Sequence, residues 1–66
     1  MKIILNSEVT EIPENTSVSD LAHSLGAANG MTAFAVNGNL VKRSDHSSFI
    51  INEGDEVIMI GAAYGG

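Results

Sequence analysis

The chain has 66 residues, which is enough for one small domain with a modest hydrophobic core. Three Lys and Arg residues against eight Asp and Glu residues give a formal net charge of −5, which argues against a nucleic-acid or anionic-membrane binder and favours a partner with a basic surface. Because the sequence contains no cysteine, disulfides, thiolate metal sites, iron–sulfur clusters and cysteine nucleophiles are excluded.

The composition is that of a folded domain, with 44% hydrophobic and 17% charged residues. No apolar run approaches the ~20 residues of a transmembrane helix. The N-terminal residues show no basic segment followed by an apolar stretch, so we expect no export signal and a cytoplasmic location.

The first half of the chain predicts a β-hairpin and then a helix. Residues 1–6 and 9–12 have strand composition and are separated by a tight turn, and Pro13 should end the second strand and keep it at a sheet edge. Ser17 and Asp20 fit a capping box at the start of the helix, although Thr16 is an alternative cap, and Gly26 is a natural stop. The apolar stripe of this helix consists of Val18, Leu21, Ala22 and Leu25.

The second half predicts three further strands. Asn37 and Gly38 form a strong turn signal because both residues accept a positive φ, and a second turn is expected at 53–55. Residues 44–48 are polar and suit a single helical turn, whereas the apolar residues 49–51 should re-enter the core. The predicted strands are 33–36, 40–41 and 56–60.

This order of elements predicts an α+β fold with one helix on one face of a sheet. Because side chains alternate across a strand, Ile4, Ile58 and Ile60 should point away from the helix toward water. Scattered exposed apolar residues are ordinary, but three on neighbouring strands also suit a partner-docking patch, and the alternation does not decide between the two. The residues expected beneath the helix are Ile3, Leu5, Val57 and Met59.

The last six residues are small apart from Tyr64 and end in Gly65 and Gly66. Fully extended, they span about 20 Å, which suits a tail entering the active site of another protein, although glycine-rich ends also fray without any function. The α-carboxylate of Gly66 is ionised and unreactive at neutral pH, and ATP could activate it as an acyl-adenylate. The sequence has no G-x-x-x-x-G-K-[ST] loop, so we expect this activation to occur on a partner.

Five segments, in this order and spacing, resemble the ubiquitin-related β-grasp sulfur carriers, and most closely the carriers of the thiamine pathway. They are MKIILN, TSVSDL, AVNGNLVKR, EGDEVIMI and the terminal GG, and together they extend over nearly the whole chain. The resemblance implies a ubiquitin-like β-grasp fold, with a mixed sheet of four to five strands whose first and last strands are central, parallel neighbours. It also implies a β-grasp domain over 1–60 and a flexible tail over 61–66.

The resemblance further implies a function as a protein co-substrate, with no catalytic residue, metal or bound cofactor of its own. A ThiF-like adenylating enzyme would activate the Gly66 carboxylate with ATP and Mg²⁺, and a sulfur donor such as a cysteine desulfurase would supply the sulfur of a thiocarboxylate. A ThiG-like thiazole synthase would then receive that sulfur. The chain would be a monomer in isolation, with Gly65 and Tyr64 entering the partner's active site and Ile4, Ile58 and Ile60 as its docking patch.

Other functions remain open at this point. A related carrier could serve molybdopterin synthesis, tRNA thiolation or protein conjugation, and a plain β-grasp interaction module could end in two glycines by chance. The chain departs from the usual family pattern at Lys42, His46 and Tyr64, which leaves open whether these residues alter partner specificity. His23 and His46 are expected to be solvated surface residues, and Asp55 is expected to cap the turn at 53–55.

Overall fold

A computed structural model describes residues 1–26 and 32–61 of the chain. Within these residues, five strands form one mixed sheet and one α-helix packs on one of its faces. The strands are β1 (Lys2–Leu5), β2 (Glu8–Glu11), β3 (Thr32–Val36), β4 (Asn39–Val41) and β5 (Glu56–Gly61), and the helix is α1 (Val18–Ser24). The order across the sheet is β2-β1-β5-β3-β4, which confirms the predicted β-grasp architecture.

β1 and β2 form the predicted hairpin. Their two-residue turn consists of Asn6 and Ser7, which have φ values of 49° and 72°. A turn with two positive φ values matches the right-handed twist of the strands that it joins. β2 begins and ends one residue earlier than predicted, finishes before Pro13, and lies at the edge of the sheet as expected.

Helix α1 begins with the predicted capping box. The Asp20 amide donates to the Ser17 hydroxyl at 3.0 Å, and the Ser17 amide donates to the Asp20 carboxylate at 3.2 Å, so Ser17 rather than Thr16 is the N-cap. The helix ends at Ser24, and Gly26 has a φ of 70°. Leu25 does not complete the buried stripe, because it lies at the C-cap, where the chain leaves the helix and the side chain is exposed. No helix within 1–26 or 32–61 has the length and apolar character needed to cross a bilayer.

The centre of the sheet is the parallel pair of β1 and β5. Leu5 lies opposite Val57, and the amides of Ile4 and Asn6 donate to the carbonyls of Asp55 and Val57, both at 2.9 Å. Beyond the end of β1, the Asn6 side-chain oxygen accepts from the amide of Met59 at 2.8 Å. On its other side β5 pairs with β3 in antiparallel fashion. The first and last strands are therefore central, parallel neighbours, as the resemblance implied.

The core lies between the sheet and α1. The segment predicted to re-enter it does so only through Ile51, whereas Phe49 and Ile50 are exposed, and this part of the prediction was wrong. Phe49 instead contributes its carbonyl, which accepts from the amide of Val18 at 3.0 Å at the start of the helix. Leu5 and Met59 are half-buried and pack against the core as expected. The largest fully buried side chains are Phe34, Ile3, Leu21, Ile51, Val18 and Val57.

Two turns are joined through one asparagine. Asn37 and Gly38 have φ values of 52° and 85° and link β3 to β4. The side-chain nitrogen of Asn37 donates to the Asp55 carboxylate at 3.1 Å, and the side-chain oxygen of Asn37 accepts from the backbone amide of Glu56 at 3.0 Å. Asp55 also accepts from the Asn52 amide at 2.8 Å, which confirms its predicted role as a turn cap.

Removing the N-cap should destabilise the domain. We expect Ser17→Ala to lower the free energy of unfolding by about 1 kcal/mol, because the amide of Asp20 loses its acceptor at a buried position. In a domain of this size, that loss corresponds to about 4–8 °C in the thermal midpoint. Ser19→Ala in the first turn is the matched control and should leave the midpoint unchanged or slightly raised, since alanine favours helix. Equal midpoints for the two variants would contradict the role of the cap.

Thr32 should be a site where a hydrophobic substitution stabilises the fold. Its side-chain oxygen is buried and has no hydrogen-bond partner among the described residues. A buried hydroxyl without a partner costs about 1–3 kcal/mol, so Thr32→Val should raise the thermal midpoint. Thr10→Val in β2 is the control, since the Thr10 hydroxyl already donates to the Glu8 carbonyl at 3.1 Å and should show no gain. A lowered midpoint for Thr32→Val would show that the hydroxyl is used.

Candidate functional site

The sheet face opposite α1 carries the three predicted patch residues. Ile4, Ile58 and Ile60 are 38%, 41% and 59% exposed, whereas their neighbours Ile3 and Val57 are buried beneath the helix. The alternation of side chains in β1 and β5 therefore places these isoleucines as the sequence predicted. One seven-residue helix covers one face of the sheet, and these side chains lie on the other.

This face is larger than the sequence indicated. Val9 on β2 lies opposite Ile4 and is 73% exposed, and Leu40 on β4 is 70% exposed. Ala35 on β3 pairs with both Ile58 and Leu40, so the three form one row across three strands. The residues of this exposed apolar face, which reaches all five strands, are Ile4, Val9, Ala33, Ala35, Leu40, Ile58 and Ile60.

Val9 and Leu40 were missed because neither short strand shows on which face it carries its apolar residue. Val9 alternates with Glu8 and Thr10, and Leu40 stands next to the buried Val41. The face is set by the pairing partner, which comes from a distant part of the sequence for Ile58. Two signals were available beforehand, because the first hairpin turn pairs Val9 with Ile4 and the turn at Asn37 and Gly38 pairs Leu40 with Ala35.

The chain leaves the sheet beside this face. β5 ends at Gly61, which pairs with Thr32, and the preceding pair joins Ile60 to Ala33. The residues that follow Gly61 therefore begin next to Ile60, at one end of the exposed apolar face. The predicted tail residues Tyr64, Gly65 and Gly66 lie outside the described residues. The sequence also predicts a loop over 27–32; its residues 27–31 lie outside the described residues, whereas Thr32 begins β3.

Most of the acidic side chains make no ion pair among the described residues. Among the described residues, the single ion pair joins the amino group of Met1 to the carboxylate of Glu11 at 3.6 Å. Because the Glu11 side chain is exposed, this pair adds little stability, and the surface keeps its negative charge. Such a surface attracts a basic protein surface at long range. The acidic residues are Glu8, Glu11, Glu14, Asp20, Asp45, Glu53, Asp55 and Glu56.

The two histidines differ in their surroundings. His23 is exposed on α1, as predicted. His46 is not simply solvated, because its Nε2 lies 3.2 Å from the Val41 carbonyl and its ring meets the Phe34 ring edge-on with centroids 5.6 Å apart. Its backbone carbonyl also accepts from the Ser19 amide at 2.8 Å, so His46 links the segment after β4 to the helix. Across residues 1–26 and 32–61, no three His, Asp or Glu side chains converge as metal ligands would.

Comparison with known proteins identifies the family. A sequence model of the ThiS family matches residues 2–66, which is nearly the whole chain. The fold is similar to the crystal structure of a thiamine biosynthesis protein (ThiS) from Geobacter metallireducens, with a TM-score of 0.83 and 20% sequence identity over 92% of this chain and 93% of that chain. No protein of curated function matches the sequence significantly. The chain belongs to the ThiS family.

Proposed function

We propose that this protein is the sulfur carrier of a thiamine pathway and that the sulfur is held on the carboxyl group of Gly66. The observation that carries the proposal is the family match, which extends to residue 66 and so includes the terminal Gly65 and Gly66. Membership of the ThiS family supports a carrier rather than an enzyme, acting with an adenylating enzyme and a thiazole synthase. The absence of cysteine leaves no side-chain thiol to hold the sulfur, which is consistent with a terminal thiocarboxylate.

The chemistry begins with activation of a poor electrophile. The Gly66 carboxylate attacks the α-phosphate of Mg²⁺-bound ATP on a ThiF-like enzyme, which gives an acyl-adenylate and releases pyrophosphate. A persulfide, generated by a donor such as a cysteine desulfurase, then attacks the acyl carbon and AMP leaves. Cleavage of the sulfur–sulfur bond by a thiol leaves the thiocarboxylate, which delivers sulfur to a ThiG-like thiazole synthase. Because activation consumes ATP, which the partner binds with Mg²⁺, we place it in the cytoplasm.

The exposed apolar face is the docking surface in this proposal. It lies at the point where the chain leaves the sheet, so a partner bound there receives the tail directly. The five residues after Gly61 reach at most about 17 Å when extended, and the active site must lie within that distance of the docking surface. If the adenylating enzyme and the thiazole synthase use the same face, they bind in turn, and the carrier must dissociate between loading and delivery.

The first test is a change in mass. After incubation with its adenylating enzyme, ATP, Mg²⁺ and a persulfide donor, the protein should gain the mass difference between one sulfur and one oxygen atom. Intact-mass spectrometry measures this gain, and fragmentation should assign it to Gly66. The control is a chain lacking both Gly65 and Gly66, which keeps the described domain and should gain no mass.

The adenylating enzyme must be shown to be active on another ThiS-family carrier in the same assay. With an active enzyme, an unchanged mass would contradict the proposed function. A gain in mass on the chain that lacks Gly65 and Gly66 would contradict the proposed role of the two terminal glycines, and a gain that fragmentation places on another residue would contradict the assignment of the sulfur to Gly66.

The second test concerns the docking face. We expect Ile58→Gln to weaken binding to the adenylating enzyme by about tenfold or more, because a buried apolar contact of this size is worth about 1.5–3 kcal/mol. Ile50→Gln is the matched control, since Ile50 is 44% exposed, close to the 41% of Ile58, but pairs with Ser17 at the start of α1. Titration calorimetry measures both affinities. Equal affinities for the two variants would show that the apolar face is not the docking surface.

A further inference from the structure

Two of the three cationic side chains of this protein stand next to each other. Lys42 and Arg43 directly follow β4, and both are exposed. They border a shallow notch of about 190 Å³ at the edge of the sheet, where the first residues of β3 extend beyond the end of β4. The residues that line the notch are Thr32, Ala33, Leu40, Val41, Lys42, Arg43 and His46. We call Lys42 and Arg43 the basic corner.

The strand register places the basic corner where the chain leaves the sheet. β4 runs antiparallel to β3, with Val41 opposite Phe34, so the residues after Val41 lie beside the first residues of β3. The first residue of β3, Thr32, pairs on its other side with Gly61, the last residue of β5. The basic corner and the start of the C-terminal residues therefore share one end of the sheet. Leu40 and Ala33 line the notch and also belong to the exposed apolar face, so the two surfaces are continuous.

The third cationic side chain lies at the opposite end of the sheet. Lys2 begins β1, which runs parallel to β5, and its carbonyl accepts from the Gly54 amide in the turn that precedes β5. Glu53, Asp55 and Glu56 surround this end. Along the axis of β5, the surface thus changes from acidic at the start of the strand to basic at its end.

None of the Asp and Glu side chains forms an ion pair with the basic corner. All eight Asp and Glu side chains belong to the described residues, and none has an oxygen within 4 Å of a side-chain nitrogen of Lys42 or Arg43. A short 3₁₀ helix spans Arg43–Asp45, and Asp45 makes no ion pair with Arg43. On a protein of net charge −5, two adjacent cations that pair with none of the eight Asp and Glu side chains are available to a carboxylate of another molecule.

We propose that Lys42 and Arg43 bind a carboxylate side chain on the partner protein whose active site receives the C-terminal residues, and that this contact sets the orientation of docking. The inference rests on the proposed function, because it assumes that such a partner exists. A uniformly acidic surface attracts a basic partner in many orientations. The basic corner disfavours orientations in which it meets basic groups of the partner. It favours the orientation in which it meets a carboxylate and the C-terminal residues point to the partner's active site.

The position of the basic corner favours a protein carboxylate over a nucleotide phosphate. The nucleotide reacts at Gly66, five residues beyond Gly61, which is about 17 Å away when the chain is extended. A lysine or arginine side chain anchored beside Thr32 is much shorter than that. The planar guanidinium of Arg43 can bind a carboxylate or a phosphate through two parallel hydrogen bonds, so the distance to Gly66 decides between them.

The test compares the same charge reversal at the two ends of the sheet. Arg43→Glu and Lys2→Glu each change the net charge from −5 to −7, so general attraction to a basic partner increases equally in both. Stopped-flow measurement of association with the adenylating enzyme, over a range of salt concentrations, separates local from general effects. We expect Arg43→Glu to associate about tenfold more slowly at low salt and Lys2→Glu to associate as fast as the unmodified protein or faster. Lys42→Glu should behave like Arg43→Glu.

The possible outcomes distinguish a failure of the proposed function from a failure of the proposed orientation site. If the unmodified protein does not bind the enzyme, the proposed function fails, and this inference fails with it. If it binds and the variants at the two ends associate equally fast, the proposed function stands and the orientation site is wrong. If Arg43→Glu raises the KM for ATP and leaves association unchanged, the basic corner contacts the nucleotide, which overturns the carboxylate assignment.

Thermal unfolding checks that each variant is folded. Arg43→Gln, which removes the charge without reversing it, replaces Arg43→Glu if the reversal destabilises the domain. It should show a smaller loss of association rate in the same direction, and an unchanged rate would overturn the proposal.

Discussion

The parallel pairing of β1 with β5 is the constraint on which the rest of this structure depends. It joins the first and last strands of the fold in the middle of the sheet, so every other element must connect them around that centre. Two parallel strands cannot be linked by a tight turn, and the intervening chain supplies the helix that covers one face. The same pairing places Ile3 and Val57 in the core and leaves Ile4 and Ile58 on the opposite, uncovered face.

The candidate site is a consequence of the small size of the fold, in which one helix covers one face of the sheet. A chain of 66 residues can fold one helix against one face of its sheet, and the other face remains available to a partner. Because β5 is central and ends at Gly61, the C-terminal residues start between the exposed apolar face and the basic corner. A member of the ThiS family can in this way present its chain end beside an apolar surface and a charge of defined position.

Much of the fold could be predicted because its signals are local. The hairpin, the capping box of Ser17 and Asp20, and the turn at Asn37 and Gly38 each depend on residues within a few positions of one another. The errors arose where contacts are distant. Phe49 was expected in the core from its hydrophobicity alone, yet its side chain is exposed and its carbonyl accepts from the Val18 amide. His46 was expected to be solvated, yet it contacts the Phe34 ring of β3, the Val41 carbonyl of β4 and the Ser19 amide of the helix.

Taken alone, the sequence determined the class of fold, the alternation that exposes Ile4, Ile58 and Ile60, and the resemblance that pointed to a carrier of sulfur. These follow from local backbone preferences and from the order of short motifs along one chain. Only the tertiary structure showed that Val9 and Leu40 extend the same face and that Lys42 and Arg43 stand beside the chain exit. The physical reason is that β5 pairs with β1 and β3 across segments that are distant in sequence, and this pairing joins the two hairpins into one sheet and makes these side chains neighbours.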